Sequence, residues 1–478
     1  MNIDPVLPGY SGTKGLNFWE ADGDLREAAL PLIPEGEREA AAKRLSEFGA
    51  LAGGRLGELI EKAHLEENLP RLAESEFGGE KVKAVAYCPE QIEARRMLAR
   101  AAYGDGPLGL PERMTLAILA NMNGEGGIGC PFAMTEGLIG LLEKRGLPGQ
   151  KALIERLRSD DPEWALTGAQ FITERQGGSN VAANEAVAES RPGGKWSLTG
   201  EKWFCSNPGE LWVTTARAGA AGPVGLFLVR RRLADGRLNG HRILRKKAIA
   251  GTKGKATVEV EYTGAEAELI GKAREGLVLL VEVLSVSREH VAAAALGFAG
   301  RALLEAETFA AWRVVYGKRV ADMSSARGRL ERMREERKGM LKAFFLAVKA
   351  VCEDAPEAEA LVPMAKVEIS RRASALVLEA QLLIGGHGIL EDFSPLPRLL
   401  ADAVVNEIWE GTHPILAGHA AKALRRPRVL ASLQAGLGRE KGLELGTLVE
   451  MNRKATEEDR GPADEGLCAA AYEALVSI

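Results

Sequence analysis

Cysteine is scarce in this 478-residue sequence. The five that occur (Cys88, Cys130, Cys205, Cys352 and Cys468) are scattered and never form a C-x-x-C pair. That spacing excludes a disulfide framework and a thiolate zinc site, and a reducing cytoplasm is the expected compartment. The six histidines never adopt H-E-x-x-H spacing, so no metal is expected. Net charge is almost absent: 62 Lys and Arg stand against 66 Asp and Glu, a balance of −4. Such a chain lacks the global electrostatic footprint of a nucleic-acid binder. Long uncharged apolar runs are missing too. The most apolar stretch, Leu277 to Leu304, carries Glu282, Arg288, Glu289 and Arg301, too many charges for a lipid-facing span. It reads as a buried helix of a bundle. The opening MNIDPVLPGYSG has neither a basic n-region nor an apolar core, so it is not read as a secretory leader.

What is present is an ordinary globular composition, 46% apolar and 27% charged, with enough chain for two to four domains and a large core. Glycine is enriched, with 55 residues against a usual ~7%. It has no collagen-like period.

Three textures follow one another. Residues 1–160 are read as an N-terminal helical domain: Glu37 to Ala73, Glu90 to Ala102 and Glu112 to Asn121 are rich in helix formers with apolar positions at helical spacing. Residues 161–275 are read as an antiparallel, barrel-like β domain. Its short alternating runs include Lys195–Thr199, Leu211–Thr215, Val224–Val229 and Ala256–Tyr262, punctuated by Gly, Pro and Asn. Residues 276–425 return to long periodic helices (Leu277–Val315, Ser324–Cys352, Glu357–Ile384, Arg398–Leu424), a four-helix bundle. Residues 426–478 form an extension, with the polar run Asn452–Gly466 read as a flexible linker. The fold class is therefore α+β and multidomain, and the helix–strand–helix order excludes alternating βαβ units.

Gly104-Asp-Gly-Pro-Leu-Gly109 matches G-x-G-x-x-G, but a helix precedes it and Pro107 interrupts it. It reads as an interhelical loop rather than a dinucleotide fingerprint. Four further clusters matter more. Phe171-Ile-Thr-Glu-Arg-Gln-Gly-Gly-Ser-Asn180 runs a strand into glycines and small polar residues, where a backbone can approach a flat ligand. Gly200-Glu-Lys-Trp-Phe-Cys-Ser-Asn207 puts an aromatic, a hydroxyl and an amide at a strand end. Leu383-Ile-Gly-Gly-His-Gly-Ile389 holds more glycine than a helix stop requires. Ile408-Trp-Glu-Gly-Thr412 sets a carboxylate beside an indole, where burial would suit it to general-base work. Taken singly, each also reads as a tight turn, a hairpin strand, a helix stop or a surface glutamate.

In this order and spacing, together with Arg313-Val-Val-Tyr-Gly-Lys318, these motifs resemble the acyl-CoA dehydrogenase family of flavoproteins over roughly Asp161 to Leu424. NFWEADGDLREA from Asn17, CPFAMT from Cys130, TERQGGSN, KWFCS and IWEGT are similar to the family's alkylation-response (AidB-like) branch. The resemblance implies FAD-dependent α,β-dehydrogenation of an acyl-CoA thioester. Glu410 would be the base, and Ser287 occupies the alternative base position, where it cannot serve. For the cofactor, the resemblance implies Phe171, Thr173, Phe204, Ser206, Arg313, Gly385, Gly386, Gly388 and Thr412. For the substrate it implies Ser179 and Gly411. Arg313 would reach the FAD of a neighbouring subunit, making a homodimer or homotetramer. Electron-transfer flavoprotein or oxygen, as in an acyl-CoA oxidase, stays open as acceptor. The sequence departs from the family's pattern at Asn180, Ser324 and His413-Pro414. The branch also suggests a DNA-protective, non-dehydrogenase role. Against it, residues 421–478 hold nine basic and nine acidic side chains, so nucleic acid is not an expected partner. The cationic segment Arg327–Lys338 reads as a solvated helix face.

Overall fold

The computed structural model describes residues 7, 9–77, 80–104, 106–145, 147, 149–161 and 163–477. Helices come first, strands follow, and helices return. The chain divides into two compact units, one of Met1–Glu58, Leu108–Glu125 and Arg288–Ile478, the other of Leu59–Pro107 and Gly126–Ser287. Helices Pro89–Tyr103 and Leu110–Asn121 flank the G-x-G-x-x-G segment; its Asp105 lies outside the described residues.

Among the described residues the β-rich unit has nine strands. Strand β1 (Arg71–Phe77) pairs with β2 (Glu80–Ala86) in an antiparallel hairpin, where helix was expected to continue to Ala73. The helix Gly57–Ala63 ends earlier, and Pro70 sends the chain into β1. A proline pushes the preceding residue out of the helical region, and Leu69 is extended, with φ −60° and ψ 146°. The remaining strands are β3 (Gly168–Phe171), β4 (Val187–Ser190), β5 (Lys195–Ser206), β6 (Leu211–Ala218), β7 (Val224–Arg230), β8 (His241–Lys246) and β9 (Thr257–Ile270). Pairings β4–β5, β5–β9, β9–β7, β7–β6 and β6–β4 close a ring, with β3 added beside β6 and β8 beside β9. Closure removes sheet edges that would otherwise pair with other chains. The sheet is not wholly antiparallel, since β3 and β4 both run parallel to β6. Phe171, Leu198, Trp212, Phe227, Val258 and Tyr262 fill the interior. There the Trp212 indole N–H donates to the Tyr262 hydroxyl at 2.9 Å, so the polar tips of both rings are satisfied.

The helical unit is built on Gly276–Trp312 (from Arg288 onward), Ser324–Cys352, Ala358–Ile384, Leu396–Ile408 and His413–Leu424. One cluster of charges in its interior is paired. Arg301 donates to Glu305 at 2.9 Å and to Asn123 at 3.2 Å, and Thr13 donates to Glu305 at 2.6 Å. The segment Arg327–Lys338 is not simply a solvated face. Arg337 is only 2% exposed and forks onto both oxygens of Asp22, which also caps helix Gly23–Ala29 through the Leu25 N–H. Arg329 and Arg334 pair with Glu379 and Glu307. The expected linker near Asn452 is likewise ordered. Helices Pro427–Leu437, Arg439–Arg453 and Arg460–Val476 complete the unit, and buried Asp464 accepts from Arg425 at 2.8 Å and Asn452 at 2.9 Å. Asp464 lies within the polar run, and it orders that run because a buried carboxylate must be paired. Among the described residues no helix is long and apolar enough to cross a membrane.

Candidate functional site

Glu410 sits on a turn that the helical unit holds under strain. Helix Leu396–Ile408 stops at Trp409, and His413 starts the next helix. Between them Glu410 has φ +59° and Gly411 φ +113°. Glycine suits the second position, and a Cβ there would also come within 2.9 Å of Leu416. A non-glycine residue in the left-handed region costs about 1–2 kcal/mol, so the surroundings must enforce it. Two cations do so. Arg288, 5% exposed, donates Nε–H to the Glu410 carbonyl at 3.1 Å. Lys366, with no exposed surface, donates to the Glu407 carbonyl at 3.1 Å and the Gly411 carbonyl at 2.8 Å. Burial pulls the Lys366 ammonium down to about 7; Glu410 and Glu407 oppose that shift, while Arg288 reinforces it. Burial also lowers Arg288, against the attraction of Glu410. His413 is pushed down to about 4 by burial, with Lys366 and Arg371 adding to the shift, so it is neutral at neutral pH.

A second group of candidates meets at the end of β5 in the β-rich unit. The Trp203 N–H donates to the Thr173 carbonyl at 2.8 Å, which ties Thr173 to the strand that carries Phe204 and Ser206. Glu174 and Gly177 exchange backbone hydrogen bonds and close a tight turn. That turn is fixed by a buried ion pair: Lys202 donates to Glu174 at 2.6 Å and to the Ile172 carbonyl at 3.2 Å, and Glu174 also accepts the Glu185 and Ala186 N–H groups. The register with β9 shifts between Lys202 and Cys205. A bulge of this kind re-aims side chains. Here it turns Trp203 and Phe204 outward together, leaving Phe204 50% exposed while Cys205 returns to the core. Ser206 Oγ lies 3.0 Å from Lys255 Nζ and 3.1 Å from Thr257 Oγ1. Phe171, by contrast, is buried in the barrel and stacked on Trp212 at 5.1 Å between ring centres.

The other candidates are distributed as follows. Ser179 is exposed just beyond the Glu174–Gly177 turn. Arg313 ends the long helix and precedes a small hairpin, Val314–Val315 with Lys318–Arg319. The tip of that hairpin, Tyr316-Gly317, has two positive φ angles, as a two-residue turn of this type demands. The Arg313 N–H donates to the Phe309 carbonyl, and the Phe309 ring lies 6.3 Å from that of His387 in the Gly385–Ile389 segment. A Cβ on Gly385 or Gly386 would meet nothing within 4 Å, whereas one on Gly388 would meet the Gln381 carbonyl at 2.4 Å. The first two glycines therefore leave open surface, and the third serves packing. Thr412 stands exposed at a helix N-terminus without capping it.

Profiles of known families match both regions. "Acyl-CoA dehydrogenase, middle domain" matches residues 169–265, and "Acyl-CoA dehydrogenase, C-terminal domain" matches residues 274–425. Acyl-CoA dehydrogenase family member 11 of Caenorhabditis elegans is 31% identical over 84% of this chain and 69% of its own length. The chain belongs to the acyl-CoA dehydrogenase family. AidB of Escherichia coli K12 is 30% identical over 86% of this chain and 78% of its own length. Among solved structures, the Bd2924 apo-form superposes with a TM-score of 0.88, covering 98% of both chains at 25% identity. Caenorhabditis elegans ACDH-11, solved in complex with C11-CoA, superposes with a TM-score of 0.84 at 25% identity, covering 98% of this chain and 90% of its own.

Acyl-CoA dehydrogenases are oxidoreductases whose cofactor is FAD, and the residues present fit a flavin. Gly178 leaves room beside Thr173, where a Cβ would come 2.6 Å from its hydroxyl. The β5 end offers an outward phenyl and a hydroxyl, and Gly385-Gly386 is an open glycine surface. Sequence reasoning missed Lys202 and Lys255 beside the candidates of the β-rich unit, and Arg288 and Lys366 beside Glu410 in the helical unit. Lys366 alone left a trace, as a single lysine in the apolar run Leu361-Val-Pro-Met-Ala-Lys-Val-Glu-Ile369.

Proposed function

We propose that this acyl-CoA dehydrogenase removes the α-proton and β-hydride of an acyl-CoA thioester, with Glu410 as base. The observation that carries this reading is the Glu410 turn, whose three carbonyls end on two buried cations. A chain accepts a strained glutamate and two desolvated cations in one place when it needs that carboxylate in one orientation. Bound FAD supplies the hydride acceptor. Glu410 takes the α-proton. In this reading the Glu410 N–H would donate to the thioester oxygen, where negative charge develops as the proton leaves. Thr173 and Ser206 hydrogen-bond the flavin ring, with Phe204 beside it. Gly385 and Gly386 admit the adenine half, Thr412 offers a hydroxyl to the cofactor, and Ser179 and Gly411 face the substrate.

The oligomer follows from the same reading. Leu378, Leu382, Ile389, Val404 and Ile408 are exposed apolar side chains, and Tyr316 is 97% exposed. A second copy would bury such a surface, and Arg313 would reach that copy's FAD pyrophosphate in a homodimer or homotetramer.

The test is a visible spectrum followed by a panel of acyl-CoA thioesters. The purified protein should be yellow, and one chain-length class should bleach it anaerobically. Glu410→Gln should keep FAD and lose the bleaching by at least ~10³-fold, the loss of a general base with its orientation. A variant that bleaches at the parent's rate refutes Glu410 as base. Reoxidation by electron-transfer flavoprotein or by oxygen then identifies the acceptor.

A further inference from the structure

Lys255 lies two residues before β9, 3% exposed, with its backbone N–H on the Thr252 carbonyl at 3.3 Å. Its Nζ donates to Thr257 Oγ1 at 2.8 Å and to Ser206 Oγ at 3.0 Å. Ser206 and Thr257 are direct cross-strand partners, so the ammonium caps a hydroxyl pair at one point of the barrel wall. An ammonium that donates to a hydroxyl occupies a lone pair on that oxygen. Where Thr257 supplies the proton of the 3.1 Å contact between the two hydroxyls, the serine proton points elsewhere, and its O–H becomes a stronger donor.

Resting on the flavin reading of Ser206, we infer that Lys255 is a positioning residue that sets the reduction potential of the bound flavin. Its contact with Ser206 does two things. It turns the serine proton outward, toward the ring that Ser206 serves. It also holds a positive charge one hydrogen bond behind the hydroxyl that would serve the ring. Dehydrogenation takes two electrons and two hydrogens from the thioester: Glu410 receives a proton and the flavin a hydride. The hydride adds one negative charge to the ring system, and a fixed cation in a site of low polarity favours that charged state. Lys255 therefore makes electron removal from the thioester easier without touching the substrate.

The experiment measures the two-electron midpoint potential by dye equilibration, alongside FAD affinity. It uses the FAD-loaded parent, Lys255→Met, Lys255→Gln and Lys255→Arg. The methionine and glutamine variants should retain FAD and lose at least about tenfold in preference for reduced over oxidised flavin, a fall of ~30 mV for a two-electron couple. Lys255→Arg, which keeps the charge, should recover most of that. In a Ser206→Ala background the Lys255→Met shift should shrink, because the hydroxyl that relays it is gone. Two variants of different shape guard against one misfolding. Parent-like potentials in FAD-loaded Lys255→Met and Lys255→Gln would overturn the inference while leaving the dehydrogenase reading intact. A parent that binds no FAD would overturn both.

Discussion

Replacing Lys366 with methionine separates the orientation of the base from the stability of the fold. The lysine is fully buried and donates to the carbonyls of Glu407 and Gly411. Hydrogen bonds to a charged group contribute about 1.5–3 kcal/mol each, but burying the ammonium costs several kcal/mol that methionine avoids. Global stability should therefore move by only about 1–2 kcal/mol, of either sign. The turn itself loses two of its three anchors. Glu410 can then relax from φ +59°, and a shift of about 2–4 kcal/mol away from the competent geometry corresponds to a ~30–1000-fold slower flavin reduction by acyl-CoA. The pH dependence gives a second signature. Lys366 titrates at about 7 in the folded protein, against an ordinary value of 10.5. Between those values the unfolded chain holds a proton that the folded chain has released. This group therefore makes native stability rise with pH across that window, by up to ~1.4 kcal/mol per unit, and contributes no slope below it. Denaturation of parent and variant as a function of pH should differ by that slope. In the rate, the direction reverses. Above about pH 7 the parent's lysine donates as a neutral amine and holds the turn less firmly, so the parent's advantage over Lys366→Met should shrink. Stopped-flow flavin reduction at several pH values is the assay. Equal rates in parent and variant across about pH 6–9, with FAD bound in both, would refute the claim that this clamp orients the base.

Three further outcomes are expected. Lys202→Met strands Glu174 as an unpaired buried carboxylate, so denaturant unfolding should show a loss of about 3–5 kcal/mol, with FAD affinity falling as the Glu174–Gly177 turn loosens. Gly178→Ala drives a methyl to 2.6 Å from Thr173 Oγ1. Flavin fluorescence titration should show FAD affinity weakened by about 1–3 kcal/mol, whereas the circular dichroism spectrum should match the parent's. Asp22→Ala removes both the partner of Arg337 and the cap of helix Gly23–Ala29, which should lower stability by about 3–5 kcal/mol without moving the midpoint potential of bound FAD.

What was legible in the sequence was whatever a period or a punctuating residue writes down. The alternation in Leu211–Thr215 and Val224–Val229 marked strands, and the long 3.6-residue rhythm of Ser324–Cys352 marked a helix that the structure bounds at the same residues. The break at Trp409-Glu410-Gly411-Thr412 falls inside the segment read as one periodic helix, Arg398–Leu424, where the structure ends one helix at Ile408 and begins another at His413; only the Gly411-Thr412 pair marked the place. The parts that turn those elements into a candidate site left almost no such mark. The bulge at Trp203-Phe204 exists only relative to β9, so no local pattern announces it. The basic run Arg327–Lys338 has the composition of a solvated face, yet Arg337 is buried because Asp22 arrives from 315 positions away. The run Asn452–Gly466 reads as linker by composition and is ordered by Asp464, because Arg425 and Asn452 converge on it. Lys202, Lys255, Arg288 and Lys366 share one property: each is a cation that the barrel or bundle closes over, and each has its head on a backbone carbonyl or a hydroxyl. Sequence pattern assigns such residues to the surface, since lysine and arginine are rarely buried unpaired. The chain tolerates them because each answers a polar group that would otherwise be buried unsatisfied. Two of them, Arg288 and Lys366, answer the carbonyl of one strained glutamate and the carbonyls of Glu407 and Gly411 on either side of it, and that convergence is what supports the proposal of Glu410 as the base.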